Sequence, residues 1–159
     1  MPSDASPIPA PDLSSVLRRT QILAGVSEPT VEKIATLSRA REVDEGDIIY
    51  SVGDPARSVY VVGNGRLRFT LGGDGRPAAG GSIIRTGDIL GWAALLADQP
   101  RRIATVAALE PSSLLEIDGR MLLSVLEEDP RAGFLVMQRL ARMITQSFLE
   151  QSVLLSSVT

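Results

Sequence analysis

Apolar and polar positions alternate with three different textures along this chain. Leu13, Val16, Leu17 and Ile22 space a short helix or turn over Leu13 to Leu23, which Gly25 ends. Ser27-Glu28-Pro29 then reads as a helix start, with Ser27 able to cap and Pro29 in the first turn, where its missing N–H costs nothing. Val31, Ile34, Ala35 and Leu37 follow at helical spacing, so a helix is expected over Glu28 to Ser38.

From Arg41 to Ile117 the chain becomes short alternating runs cut by Gly, Asp and Pro. Ile48 to Tyr50 precedes the turn Gly53-Asp54-Pro55, and Ser58 to Val62 is β-branched and aromatic. Asn64-Gly65 is a turn pair. Arg66 to Leu71 alternates with Leu67, Phe69 and Leu71 on one face, and Gly72-Gly73-Asp74-Gly75 reads as a hairpin loop. Ser82 to Arg85, Thr105 to Leu109 and Leu114 to Ile117 complete a set of short strands that predicts a sandwich, roll or barrel.

One motif recurs inside this stretch. Gly46-Asp47-Ile48-Ile49 returns 41 residues later as Gly87-Asp88-Ile89-Leu90. The pair is either a reused turn chemistry, or two halves of a rolled sheet presenting equivalent corners.

Helical spacing returns at Gly119 to Glu127, through Met121, Leu122, Val125 and Leu126. Asp129-Pro130 opens a last helix to about Leu155, with Asp129 as cap. Met137, Ala141, Ile144, Phe148, Gln151 and Leu155 step by four and three, a heptad-like stripe with one polar member. Such a helix is about 35–40 Å long at 1.5 Å per residue, so it either docks on the roll or pairs with another chain.

Composition narrows the chemistry. The chain has 159 residues, of which 44% are hydrophobic and 4% aromatic, with 0 His and 0 Cys. One domain is expected at this length. Disulfides, thiolate nucleophiles, imidazole bases and His/Cys metal sites are excluded, so an enzymatic role and a metal are not expected. A net charge of −3 argues against direct nucleic-acid contact. Lys33 is the only lysine, which leaves cationic work to Arg. The N-terminal residues lack an apolar signal region, and the longest near-apolar run, Ile89 to Ala97, is too short to span a bilayer. A soluble cytoplasmic protein is the expectation, with residues 1–12 a Pro-rich tail.

The segment Arg85 to Leu109 carries the candidate chemistry. Gly91 ends a strand, a helical turn follows over Ala93 to Ala97, and two arginines precede a strand that starts at Ile103. A glycine before a short helix gathers free backbone N–H groups into an anion-binding corner, and a returning Arg closes a clamp on it. A capped surface turn with two solvated arginines is the alternative.

These residues, with Gly46 to Asp54, Val59 to Val62, Asn64-Gly65 and Ala94-Leu95-Leu96, resemble the cyclic-nucleotide-binding domains of the catabolite activator protein, protein kinase A regulatory subunits and nucleotide-gated channels. The resemblance covers about Leu17 to Phe148. It implies a mainly β fold: a double-stranded β-roll (jelly-roll-like) of eight strands over 41–117, with helices at 13–38 and 119–155, in one domain over 13–155.

The resemblance also implies a function, a regulatory module that senses a small ligand and moves its C-terminal helix. The candidate ligand is cyclic AMP or cyclic GMP, with no further cofactor. The family's phosphate cassette, roughly Gly-Glu-x-Ala-Leu then Arg-x-Ala-Thr, implies a ligand site at Leu90, Gly91, Trp92, Ala93, Ala94, Arg101, Arg102, Ile103 and Ala104. Arg102 matches by the Arg-x-Ala-Thr register and Arg101 by the preceding Pro; strand direction favours Arg102.

Trp92 stands where the family has the Glu that bonds the ribose hydroxyl. An indole donates but does not accept, and losing a charged hydrogen bond in a buried site costs on the order of 1.5–3 kcal/mol. Cyclic-nucleotide affinity is therefore expected to be weakened, with Trp92 stacking on another ligand or plugging the pocket. The alternative function is a scaffold or dimerisation module that has lost the ligand and forms a homodimer through the 130–155 helix.

Overall fold

The computed structural model describes residues 12–71, 82–96, 98 and 100–156, with side chains to residue 150. The N-terminal tail before Asp12 and the Gly72 to Gly75 loop lie outside the described residues. Helix α1 (Leu13–Arg19) starts under Asp12, whose carboxylate accepts the Ser14 N–H. A 3-10 turn, Gln21–Leu23, and α2 (Glu28–Leu37) follow.

Eight strands come next: β1 (Ser38–Val43), β2 (Ile48–Tyr50), β3 (Ser58–Asn64), β4 (Arg66–Leu71), β5 (Ser82–Arg85), β6 (Ile89–Leu90), β7 (Ala104–Ala108) and β8 (Ser112–Asp118). They form two antiparallel four-stranded sheets, ordered β1-β8-β3-β6 and β2-β7-β4-β5. Helices α3 (Gly119–Glu128) and α4 (Pro130–Ser156) close the chain. The expected mainly β roll with flanking helices is what the chain forms.

Two apolar cores result, one on each face of the first sheet. Between the sheets lie Val43, Ile49, Val62, Leu67, Leu90, Val106 and Leu114. On the outer face, Leu17, Ile34, Val59, Val61, Leu115 and Ile117 pack with Leu122, Val136 and Leu140 of the last two helices. Strand β3 therefore buries both faces, Val59 and Val61 one way and Tyr60 and Val62 the other. That is why its sequence is an unbroken apolar run.

The repeated Gly-Asp corner is structurally equivalent in the two sheets. Gly46 and Gly87 adopt φ of 86° and 89°. Asp47 Oδ2 accepts the Asp44 N–H at 2.9 Å, and Asp88 Oδ2 accepts the Arg85 N–H at 2.9 Å. Gly46 N–H donates to Ala108 O and Gly87 N–H to Val62 O, both at 2.8 Å. Each corner thus hangs on a central strand of its own sheet, β7 in one and β3 in the other.

Two local expectations change. The strand region opens at Ser38 rather than Arg41, because β1 takes up its ladder with β8 directly after α2. Half of β1 is exposed and only Val43 is buried, so it carries no apolar alternation to be read. Ser27 does not cap α2 with its side chain. Its hydroxyl donates to Thr30 Oγ1, and Thr30 in turn donates to Asp129 Oδ2 at 2.6 Å, tying the start of α2 to the start of α4. Asp129 does cap α4, accepting the Ala132 N–H at 3.2 Å.

Candidate functional site

The centre of the candidate site is a buried cation. Arg102 precedes β7 and is 5% exposed. Burial pulls its guanidinium below the usual arginine range, and the neighbouring Tyr50 and Tyr60 oppose that pull. Its Nη1 donates to Gly91 O at 3.0 Å and its Nη2 to Ser58 O at 2.7 Å. The guanidinium stacks on Tyr50, with Cζ 4.1 Å from the ring centroid, and lies 5.8 Å from that of Tyr60. Its Nε is buried without a hydrogen-bond partner, and no carboxylate ion-pairs with it among the described residues.

Period-two alternation places Arg102 there. Ala104, Val106 and Ala108 are buried along β7, and Arg102 continues their inward face by one step. Arg101 and Ile103 point outward and are exposed. Arg101 Nη1 donates instead to Gly53 O at 3.2 Å.

Gly91 completes the corner. Its φ of 77° lies in the left-handed region, and a Cβ there would stand 2.8 Å from Arg102 Nη1 and 3.0 Å from Ser58 O. It forms the N-cap of the 3-10 turn Trp92–Leu95, whose first N–H groups have no acceptor within the turn. Leu90 packs into the roll interior, whereas Ala93 and Ala94 belong to the helix-side core. Trp92 is half-buried and also packs against the helix-side core, away from the roll interior.

Sequence reasoning passed over a polar network on the same inner face. Glu116 on β8 accepts from Ser58 Oγ at 3.1 Å and Tyr60 Oη at 3.4 Å, and pairs with Arg39 at 3.0 Å. Arg41 Nη1 reaches Tyr60 Oη at 3.5 Å. Burial alone raises a carboxyl, but here hydrogen bonds from Arg39 and Ser58 and the charges of Arg39 and Arg41 hold Glu116 below the usual range. Burial pushes Tyr50 up to about 12, against the lowering influence of Arg102, and pushes Tyr60 up as well. The available signal was register: 58, 60 and 62 on β3 and 112, 114 and 116 on β8 share one face.

Two four-stranded antiparallel sheets flanked by short N-terminal helices and a long C-terminal helix make the β-roll of cyclic-nucleotide-binding domains. The chain belongs to the cyclic nucleotide-binding domain family, whose sequence model matches residues 40–129. It is similar to an uncharacterized NTE family protein of Mycobacterium tuberculosis, 29% identical over 136 residues, covering 86% of this chain and 22% of that protein.

Among solved structures it resembles the Thermus thermophilus catabolite activator protein, with a TM-score of 0.68 and 24% identity over 84% of this chain and 62% of that one. It also resembles the regulatory domain of Toxoplasma gondii PKA solved with cAMP, with a TM-score of 0.69 and 21% identity over 84% of this chain and 49% of that one. The chain therefore spans about a fifth of the curated NTE family relatives. Its fold is typically regulatory rather than catalytic. No helix among the described residues is long and apolar enough to cross a membrane.

Proposed function

We propose that this chain is a regulatory module working in the cytoplasm that binds a small anionic ligand of the cyclic-nucleotide class against Arg102 inside the roll. The observation that carries the reading is the state of that guanidinium: buried, aromatic-stacked, with an Nε that has no hydrogen-bond partner and no ion-paired carboxylate among the described residues. Asp54 and Glu116 act on this cation only from a distance, without an ion pair among the described residues, and an anion at the mouth of the glycine corner supplies a directly bonded counter-charge. The similar Toxoplasma domain was solved with cAMP, which agrees with this ligand class. Trp92 brings no acceptor for a ribose hydroxyl, so affinity for cyclic AMP or cyclic GMP is expected to be about 10- to 100-fold below that of a site with the carboxylate.

The event would pass to the C-terminal helices through the first residue of α3. A Cβ on Gly119 would lie 2.6 Å from Ala94 O, so the turn after Gly91 and the start of α3 touch without a side chain between them. Titrating cyclic AMP and cyclic GMP while following the fluorescence of Trp92, the sole tryptophan, tests the reading. A saturable change abolished in Arg102→Gln supports it; no change at millimolar nucleotide rules the cyclic-nucleotide ligand out.

A second reading, assembly through α4, is favoured by how that helix sits. Ala132, Val136 and Leu140 dock inward, while Met137, Ala141 and Ile144 occupy another face that is exposed or half-buried. The side chains of Gln151 and Leu155, which would extend the stripe, lie outside the described residues. Sedimentation of the protein and of Ile144→Glu decides: a dimer lost in the variant supports pairing, and a monomer in both ends it.

A further inference from the structure

A cleft of about 800 Å³ is lined by the turn that follows Gly91 together with residues of the helix-side core, among them Ala56, Ala94 and Leu95. Three arginines from three parts of the sequence line it: Arg57 before β3, Arg101 before β7 and Arg120 in the first turn of α3. Backbone hydrogen bonds fix them together. Ala56 N–H donates to Pro100 O at 2.9 Å, and Gly119 N–H donates to Arg57 O at 2.9 Å. Pro55 and Arg101 form an isolated antiparallel bridge.

The side chains of Arg57 and Arg120 make no hydrogen bond or ion pair among the described residues, and Arg101 reaches only the Gly53 carbonyl. Asp98 and Asp118 also border the cleft, yet neither pairs with the three cations. Asp118 accepts the Met121 N–H as the cap of α3. The apolar part of the lining includes Ala56, Ala94, Leu95 and Leu123, which belong to or pack against the helix-side core.

We propose that this cleft docks an acidic segment of a partner polypeptide, with carboxylates on the arginines and an apolar side chain on the apolar lining. Three like charges on one cleft, none of them ion-paired among the described residues, repel one another, and an anionic occupant relieves that repulsion. The two aspartates on the same lining disfavour a compact multivalent anion, whose charge they would repel. Carboxylates spaced along an extended segment align with the separated arginines instead. The volume suits a short peptide stretch, and an apolar lining flanked by charge is the usual make-up of a docking pocket. Because Ala94 and Leu95 are shared with the turn that follows Gly91, the occupant would contact the turn of the ligand corner.

Fluorescence anisotropy with a fluorescein-labelled peptide, acetyl-Asp-Leu-Glu-Asp-Leu-Glu, tests this directly. Binding should weaken at least about tenfold, or 1.4 kcal/mol, both for the Asn/Gln version of the peptide and for the Arg57→Gln/Arg120→Gln double variant. Arg68→Gln on β4, outside the cleft, should leave it unchanged, and thermal unfolding checks that each variant is folded. The proposal is overturned if the acidic peptide does not bind at millimolar concentration or if the neutral peptide binds equally well. Displacement of the peptide by inorganic phosphate at matched ionic strength would equally overturn it, by showing a small-anion site. These outcomes are independent of the nucleotide titration.

Discussion

The guanidinium of Arg102 donates to the carbonyl of Gly91 across the mouth of the roll, at 3.0 Å. Eleven residues apart in sequence, the two form one unit, because the glycine has no Cβ to block the approach and the arginine faces inward from its strand. Gly91→Ala should cost about 1–3 kcal/mol in urea unfolding, from left-handed strain plus contact with Arg102 and Ser58. Arg102→Lys should lose a similar amount, about 1–3 kcal/mol, since one ammonium cannot span both carbonyls while stacking flat on Tyr50. An Arg102→Lys protein as stable as wild type would show that the two carbonyl bonds contribute nothing.

The twin corners predict twin costs. Asp47 and Asp88 each accept one backbone N–H in the same local geometry. Asp47→Ala and Asp88→Ala should each destabilise by about 0.5–1.5 kcal/mol, and the two effects should be equal within error. Denaturant midpoints at constant slope give the comparison. A large asymmetry would mean that the corners serve different purposes.

Glu116 sets an acid limit. Its carboxyl titrates below the ordinary value of 4.5 in the folded chain, so the unfolded chain binds the proton first as pH falls. The stabilisation is present above pH 4.5 and is lost as pH drops through the lower folded value. Thermal midpoints measured between about pH 6 and about pH 3 should therefore fall less steeply in Glu116→Gln than in wild type.

The tyrosines set an alkaline limit. Tyr50 and Tyr60 are the only two in the chain, and burial raises both, Tyr50 to about 12. Phenolate absorbance of the folded protein should thus stay low past the ordinary value of 10. Stability should decline as pH rises from there toward the folded value, because the unfolded chain ionises first. A phenolate signal already complete near the ordinary value would contradict the stacked, buried arrangement.

Much of this was legible in the chain. Gly, Pro, Asp and β-branched residues act over a few positions, so the strands β2 to β5, the Gly-Asp corners and the Asp129-Pro130 helix start could be read locally. The two pieces of the candidate site, Gly91 and the paired arginines, were visible for the same reason. Strand β1 was not, because only one of its residues is buried and its place depends on the ladder with β8. Ser27 lost its capping role to a hydroxyl chain that reaches Asp129, a partner 102 positions away.

By itself, then, the sequence determined the kinds of element and the absence of imidazole and thiol chemistry, and its resemblance implied that Trp92 stands where the family's cassette has a carboxylate. Tertiary structure decided which way each side chain faces. Sheet register turned Arg102 inward onto Tyr50 and Arg101 outward to the cleft. Packing between the roll and its helices drew Trp92 to the helix-side core. The same register brought Glu116, Tyr60 and Ser58 onto one inner face from separate strands. Such meetings depend on long-range pairing and on burial shared between distant segments, which local pattern does not encode.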